Sequence, residues 1–363
     1  MRIAYVLTTL GIGGAEKQVI SLAEHMAARG HVVTLLVLKH STAEEWPVKL
    51  SVMRLNMEKT PKSLWRGLGF AVKFLAIFRP DIIHSHTYPA NIFARMLRWR
   101  GVHPPIVNTI HNVYEGGRHR MLLYRLTDRF VDSVTAVSSA AQERFVRTHA
   151  MPPRKISVLT NGIEAKEFTP DRNRRDRLRQ TMRVENAFVW LAAGRLVPAK
   201  DYPNLISAFA IARKSRSNAV LWIAGEGDKS LVERECSSIP DVQLLGLRHD
   251  MPNLLDAADG FVLSSAWEGM PLVLGEAMAM RKPVVATDVG GVRELVGEAG
   301  VVVPARDRES LAGGMVSVMA MNDKRRREIG VEARRRIEQF FSMDAKTEEW
   351  LNLYSKLTSQ ENS

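Results

Sequence analysis

Apolar and polar positions alternate along this chain in short blocks whose spacing switches between that of strands and that of helices. Residues 3–8 form an apolar run that ends in a glycine-rich turn, Gly11-Ile12-Gly13-Gly14. Residues 16–29 then place Val19, Ile20, Leu22, Ala23, Met26 and Ala27 on one helical face, and Gly30 stands where a helix C-cap belongs. Residues 31–38 return as a strand. A strand, a helix and a strand joined in this way require a parallel sheet covered by helices. Further strands are predicted at 82–84, 106–109, 133–137 and 156–159.

A turn at 160–164 precedes a polar, arginine-rich stretch, 171–183, which reads as a linker. The alternation then resumes, with strands at 188–193, 220–224, 242–245, 260–264, 283–287 and 300–303. Helices fall between them at 202–214, 253–257, 271–280, 292–296 and 310–321, and two more at 324–341 and 344–357 close the chain. The pattern predicts an α/β protein of two Rossmann-like, doubly wound domains facing across a cleft, where ligands of such folds sit. The expected division is 1–165, 166–341, and a terminal helix in 342–363 that packs back towards the first domain.

Length and composition fit this reading. The 363 residues suit two domains, and 45% apolar with 25% charged residues is the profile of a globular protein. No apolar run approaches the roughly 20 residues that span a bilayer. The first ten residues superficially resemble a signal peptide but run into the glycine turn without a small-residue cleavage site, so a buried first strand is expected. The lone Cys236 excludes an intramolecular disulfide and fits a reducing compartment, so a cytoplasmic location is expected.

Charge adds something the pattern does not. The net charge is +12, and residues 1–165 hold 22 Lys and Arg against 11 Asp and Glu, a net of +11. Such asymmetry points to nucleic acid or an anionic membrane, or else serves solubility alone.

The richest chemistry lies in Ser264-Ser265-Ala266-Trp267-Glu268-Gly269-Met270-Pro271-Leu272-Val273-Leu274-Gly275-Glu276. A strand ends at Ser264, a loop carries Glu268 and Gly269, and a helix opens near Pro271, whose missing N–H is no loss in a first turn. The free N–H groups and dipole of that helix can seat a diphosphate. Two carboxylates there suit hydroxyl recognition, although a surface Glu plus a salt-bridged helical Glu has the same spacing. In the first half, the glycine turn follows a strand and opens a helix as a phosphate loop does. It departs from the dinucleotide Gly-x-Gly-x-x-Gly because position 16 is Glu, which disfavours a dehydrogenase. Thr109-Ile110-His111 ends a strand, so His111 is expected to point into the crevice. His84 and His86 share a strand face and could imitate a metal pair, but no third ligand has suitable spacing. Cleft lining is expected for His86. No well-placed Asp-x-Asp occurs, and no metal site is expected.

The Glu268-to-Glu276 run resembles the Glu-x7-Glu motif of the family-four retaining glycosyltransferases, which have the GT-B fold. Gly11–Glu16, Gly194-Arg195-Leu196-Val197-Pro198-Ala199-Lys200-Asp201, Ala224-Gly225-Glu226-Gly227-Asp228, Gly246-Leu247-Arg248 and Asp288-Val289-Gly290-Gly291 resemble other signposts of that family, in the expected order. The resemblance covers nearly the whole chain and is strongest over 188–304.

It implies a nucleotide-sugar donor, UDP- or GDP-linked, as co-substrate, with no further cofactor and no metal. Glu276 would accept hydrogen bonds from the ribose, and Glu268 would orient the transferred sugar. Arg195 and Lys200 would neutralise the diphosphate leaving group, where charge grows in the transition state. Leu247 and Arg248 would hold the base through backbone groups. Gly269, Met270 and Leu272 would complete the donor site, and Gly13 and Gly14 would close over the diphosphate from the first domain. His111 would stand beside the sugar. Transfer with retention is then expected by front-face attack, the leaving phosphate taking the acceptor's proton.

The acceptor side is read from three basic-apolar segments. Residues 59–79 combine Leu64, Trp65, Leu68, Phe70, Phe74, Ile77 and Phe78 with Lys62, Arg66, Lys73 and Arg79, and 95–100 and 118–129 add more of both kinds. Such segments lie in membrane interfaces or cover sheets as amphipathic helices. With the charge asymmetry they favour peripheral attachment to the inner face of the plasma membrane. A saccharide or lipid-linked acceptor would suit this, as in assembly of bacterial surface polysaccharide, with Trp65 or Phe74 inserting. Two rivals remain: a GT-B nucleotide-sugar epimerase, and a non-enzymatic basic protein binding nucleic acid or membrane. No nucleic-acid-binding motif is present, and nucleic acid is not expected as a partner.

Overall fold

The structure is a computed structural model that describes residues 1–41, 44–230, 232–233, 239 and 241–360. Cys236 lies outside the described residues. The chain divides into two compact units, Met1–Gly162 with Met343–Ser363, and Ile163–Ser342.

The first unit is built on a parallel sheet of seven strands: β1 (Arg2–Leu7), β2 (Val32–Val37), β3 (Ser51–Arg54), β4 (Ile82–His86), β5 (Ile106–Ile110), β6 (Ser133–Ala136) and β7 (Ile156–Val158). Their spatial order is β3-β2-β1-β4-β5-β6-β7. Strand order reverses between β1 and β4, so the loops leaving those two strands flank the crevice of a doubly wound sheet. There the hydroxyls of Thr8 and Thr87 hydrogen-bond at 3.0 Å. β3 escapes the sequence pattern because it is four residues long and half-exposed at the sheet edge.

Helix Pro61–Phe78 starts where Thr60 accepts from the Ser63 N–H and Pro61 takes the first turn. Its buried side, Leu68, Ala71 and Leu75, joins the core on one face of the sheet. Helices Gly14–Ala28 and Met343–Gln360 cover the other face, where Trp350 and Tyr354 pack in one cluster with Ile3, Tyr5 and Leu7. Arg29 ties the two helices by donating to Asp344 at 3.1 Å and Glu348 at 3.2 Å.

The second unit holds β8 (Phe188–Ala193), β9 (Ala219–Ala224), β10 (Val242–Gly246), β11 (Gly260–Leu263), β12 (Val284–Thr287) and β13 (Val301–Val303), all parallel, in the order β10-β9-β8-β11-β12-β13. Every residue of β8 and β9 is buried, which is why they read as unbroken apolar runs. The arginine-rich stretch is not a linker. It forms helix Arg172–Thr181, whose Arg174 pairs with buried Asp256 at 2.8 Å and whose Arg175 and Arg179 pair with Asp259 at 2.5 and 3.0 Å. No helix among the described residues is long and apolar enough to cross a membrane.

Candidate active site

In the second unit the strand order reverses between β8 and β11, and the loops that follow those strands carry the charged residues of interest. The two loops are stitched together. Ser264 Oγ donates to the Lys200 carbonyl at 2.7 Å, and the Ala266 N–H donates to the Ala199 carbonyl at 2.8 Å. Across this seam Lys200 Nζ donates to Glu268 Oε1 at 2.5 Å, and Ser265 Oγ donates to the same oxygen at 2.7 Å. The side chains of Lys200 and Glu268 are 17% and 12% exposed, so the pair is largely shielded yet reachable from the loop surface.

Neighbouring turns explain the glycines around this seam. Gly225 has a φ of 149°, and a Cβ there would lie 2.0 Å from the Gly194 carbonyl oxygen, so only glycine lets the β9 turn lie against the β8 turn. The Gly225 N–H donates to the Gly246 carbonyl at 2.7 Å, extending the row of turns to Leu247 and Arg248 at the end of β10. Arg248 is held by Asp250 through two 2.7 Å hydrogen bonds. Arg195 is exposed on the β8 loop.

Glu276 lies inside helix Leu272–Ala279 and is only 6% exposed. Pro271 precedes that helix in extended conformation rather than opening it. Gly269 and Met270 are buried and Leu272 is half-buried. Thr287 Oγ1 donates to the Ser265 carbonyl at 2.7 Å, and the Gly291 N–H donates to the Gly269 carbonyl at 2.6 Å, so the Glu268 loop is braced from the β12 side as well. Tyr202, buried and beside Glu268, has its hydroxyl held well above the ordinary phenol range, chiefly by burial.

In the first unit, Gly13 caps helix Gly14–Ala28 in extended conformation, and the Glu16 carboxylate reaches back to it, 2.5 Å from where a Cβ would lie. The loop before this helix is steadied by the Ile12 N–H donating to the Glu44 carbonyl at 3.2 Å and the Trp46 N–H to the Leu10 carbonyl at 2.9 Å. His111 follows β5, half-buried, and its Nε2 is hydrogen-bonded to His86 Nδ1 at 2.9 Å. Burial lowers its pKa to about 4.

Cleft lining is expected for His86 from the sequence, but its side chain is buried. It is 2% exposed and stands behind His111. His84 is deeper still, bonded through Nδ1 to the Tyr354 hydroxyl at 2.6 Å and through Nε2 to Thr109 Oγ1 at 2.7 Å. Burial first, then the neighbouring imidazoles, holds both rings well below the ordinary histidine pKa. Among the described residues no three His, Cys, Asp or Glu side chains gather as metal ligands.

One acidic residue escaped the sequence reading. Glu115 is 8% exposed, accepts from the His111 N–H at 3.2 Å and from the Tyr124 hydroxyl at 2.8 Å, and is pushed up to about 7 by burial. Nothing in Tyr114-Glu115-Gly116 announces this, because its burial depends on how the chain folds back on His111 and on Tyr124 of the next helix.

The basic surface also needs correction. Arg95 is fully buried, donating to Asn108 at 2.7 Å and to the Tyr124 carbonyl at 2.8 Å, and adds no surface charge. Phe74 stacks on Phe78 and packs against the core, whereas Trp65, Phe70, Ile77 and Trp99 are exposed.

Two parallel, doubly wound sheets, each with its candidate residues on loops at the strand-order reversal or on the strands beside it, are the architecture of a GT-B transferase. The structure of Anabaena HepE in complex with UDP-glucose shares it, with a TM-score of 0.85 over 98% of this chain and 100% of that one at 22% identity. Residues 187–321 match the family model of Glycosyl transferases group 1, and residues 12–167 match that of Glycosyltransferase Family 4. The chain belongs to this family of glycosyltransferases. It is 30% identical over 358 residues to a glycogen synthase of Mycobacterium tuberculosis, covering 85% of this chain and 83% of that protein. It is 28% identical over 300 residues to the Escherichia coli UDP-Gal:alpha-D-GlcNAc-diphosphoundecaprenol alpha-1,3-galactosyltransferase, covering 78% and 77%.

Proposed function

We propose that this glycosyltransferase moves a sugar from a UDP- or GDP-linked donor to a saccharide or lipid-linked acceptor in cell-surface polysaccharide assembly, with retention and without a metal. The observation that carries the donor half is the shielded Lys200–Glu268 pair at the β8/β11 crevice, with Glu276 buried on the helix that follows. Lys200 and Arg195 meet the diphosphate, and charge that develops as the anomeric bond breaks is stabilised by cations already fixed in place. Glu268 holds Lys200 until then and accepts hydrogen bonds from the sugar. Glu276 accepts from the ribose. With Glu268 engaged by Lys200 and Ser265, the leaving phosphate is the group that takes the acceptor's proton, and no covalent intermediate forms.

The lipid-linked acceptor is supported by the first unit's surface and by the E. coli relative, whose substrate is a diphosphoundecaprenol. Trp65, Phe70, Ile77 and Trp99 stand exposed among Lys62, Arg66, Lys73 and Arg100. Such a face suits a cytoplasmic enzyme working at the anionic inner surface of the plasma membrane. The test of the function is a screen of sugar nucleotides with undecaprenyl-diphosphate-linked saccharides, read by nucleotide release and by the anomeric configuration of the product. Release from one sugar nucleotide, undiminished by a chelator and giving the donor's own configuration, is expected. Thermal stabilisation by nucleic acid but by neither UDP nor GDP would overturn the reading.

A further inference from the structure

Three histidines of the first unit sit side by side, and one ring nitrogen decides what the outermost can do. His84 has both nitrogens occupied, by the Tyr354 hydroxyl at 2.6 Å and Thr109 Oγ1 at 2.7 Å. It therefore offers nothing to His86, although their ring centres are 3.9 Å apart. His86 Nδ1 is bonded to His111 Nε2 at 2.9 Å, while His86 Nε2 is buried without a hydrogen-bond partner among the described residues.

A neutral imidazole carries one N–H, which leaves two arrangements for this pair. If His111 Nε2 carried the proton and donated it, His86 would carry its own on Nε2, an N–H buried with no acceptor. If His86 Nδ1 carries the proton and donates it, the atom left unpaired is a bare nitrogen. Orphaned buried N–H groups are the rarer and costlier defect. The second arrangement places the His111 proton on Nδ1, the nitrogen turned away from His86.

We infer that His86 is a positioning residue that holds His111 in its Nδ1–H form, so that His111 meets its ligand as a hydrogen-bond donor to a sugar or phosphate oxygen and not as a proton acceptor. The ligand's identity rests on the glycosyltransfer proposed above, whereas the tautomer rests on the pair alone. Burial agrees with the assignment, since a ring that resists a second proton makes a poor base near neutral pH.

Side-chain 15N spectroscopy of the histidine-labelled full chain tests it directly, with His111 assigned by the signals missing in His111→Gln. In the wild type, His111 should show a protonated Nδ1 and a bare Nε2. His86→Asp replaces the donor with a carboxylate that can only accept, and should move the proton to Nε2. His86→Asn, which can set an amide N–H near the same place, should bring it back. With a sugar nucleotide that is turned over, kcat/KM should fall roughly 10-fold or more in His86→Asp and recover at least partly in His86→Asn, following the tautomer. A wild-type His111 protonated on Nε2 would overturn the inference, and the wild-type spectrum answers this even if a variant fails to fold. A tautomer unchanged in folded His86→Asp would overturn it equally. Absence of turnover with every sugar nucleotide, beside the expected spectrum, would sink the functional reading and leave the tautomer standing.

Discussion

The α-carbon of Gly290 packs against the carbonyl oxygen of Glu268, so closely that a Cβ there would lie 2.4 Å away, with the Gly269 carbonyl at 2.6 Å. Gly290 also has a φ of 56°, in the left-handed region. The turn after β12 is thus the floor beneath the loop that carries Glu268, and a side chain there would displace that loop. Gly290→Ala should destabilise by about 1–3 kcal/mol from backbone strain and displaced carbonyls. Its kcat should fall as well, because the displaced loop carries Glu268. Gly313→Ala is the control, because nothing lies within 4 Å of a Cβ in that helix and alanine is the better helix former. Urea midpoints and steady-state kinetics of the two variants measure the contrast; equal, small effects would mean that the Glu268 loop does not depend on this floor.

Glu276→Ala should weaken donor binding by about one to two orders of magnitude, the equivalent of losing charge-assisted hydrogen bonds worth roughly 1.5–3 kcal/mol. Calorimetry with the matching nucleoside diphosphate reads this without turnover. Unchanged affinity in a folded variant would remove Glu276 from the ribose.

Lys200→Ala and Arg195→Ala should lower kcat more than donor affinity, by about 2.7–4 kcal/mol of barrier where the cation faces the leaving group. Lys200 is already held by Glu268, whereas exposed Arg195 must be ordered on binding, so the larger loss is expected at Lys200. Lys200→Ala and Glu268→Ala should also be non-additive, as groups in direct contact are. A change confined to the Michaelis constant would mean that both cations bind only the ground state.

Glu115 and His111 give the first unit opposite responses to pH. The Glu115 carboxyl is raised to about 7 by burial, so the folded state holds its proton more tightly than the unfolded chain does. Its contribution is complete below the ordinary carboxylate range and is lost as pH rises through about 7. His111 is lowered to about 4, so its contribution is complete above the ordinary histidine range and is lost as pH falls towards 4. Glu115→Gln should therefore gain on the wild type between pH 5 and pH 8.5, by on the order of 2–3 kcal/mol. Urea unfolding at the two values checks this; parallel pH curves for variant and wild type would show that Glu115 titrates as an ordinary carboxylate.

Attachment to membrane should divide into a part that salt removes and a part that it does not. Each surface Lys or Arg contributes about 1 kcal/mol against anionic lipid, screened beyond about 8 Å near physiological ionic strength. Co-sedimentation with anionic and neutral vesicles across a salt series measures both parts. Ile77→Ser and Trp65→Ser should lower the salt-resistant part, since these side chains are 82% and 48% exposed, whereas partly buried Phe74 should matter only through folding. Equal binding to both vesicle types, or to neither, would leave the basic charge as a solubility feature.

The amino-acid sequence by itself determined the alternation of strands and helices, the doubly wound class and the donor-side signature. Burial on both faces makes strands such as β8 unbroken apolar runs, and Glu268 and Glu276 stand within one continuous segment, so neither needs a distant partner to be seen. The tertiary structure alone decided where polar groups are buried and what they hold. Arg174, Arg175 and Arg179 look like a solvated linker until Asp256 and Asp259, some eighty residues on, receive them. Arg95 looks like surface charge until Asn108 and the Tyr124 carbonyl close around it. His84 meets Tyr354, 270 residues later, and His86 meets His111, so two histidines that share a strand face are held by different partners. Periodicity reports which side of an element is apolar. A buried polar side chain is permitted only by its partner, and the fold, not the local pattern, supplies that partner.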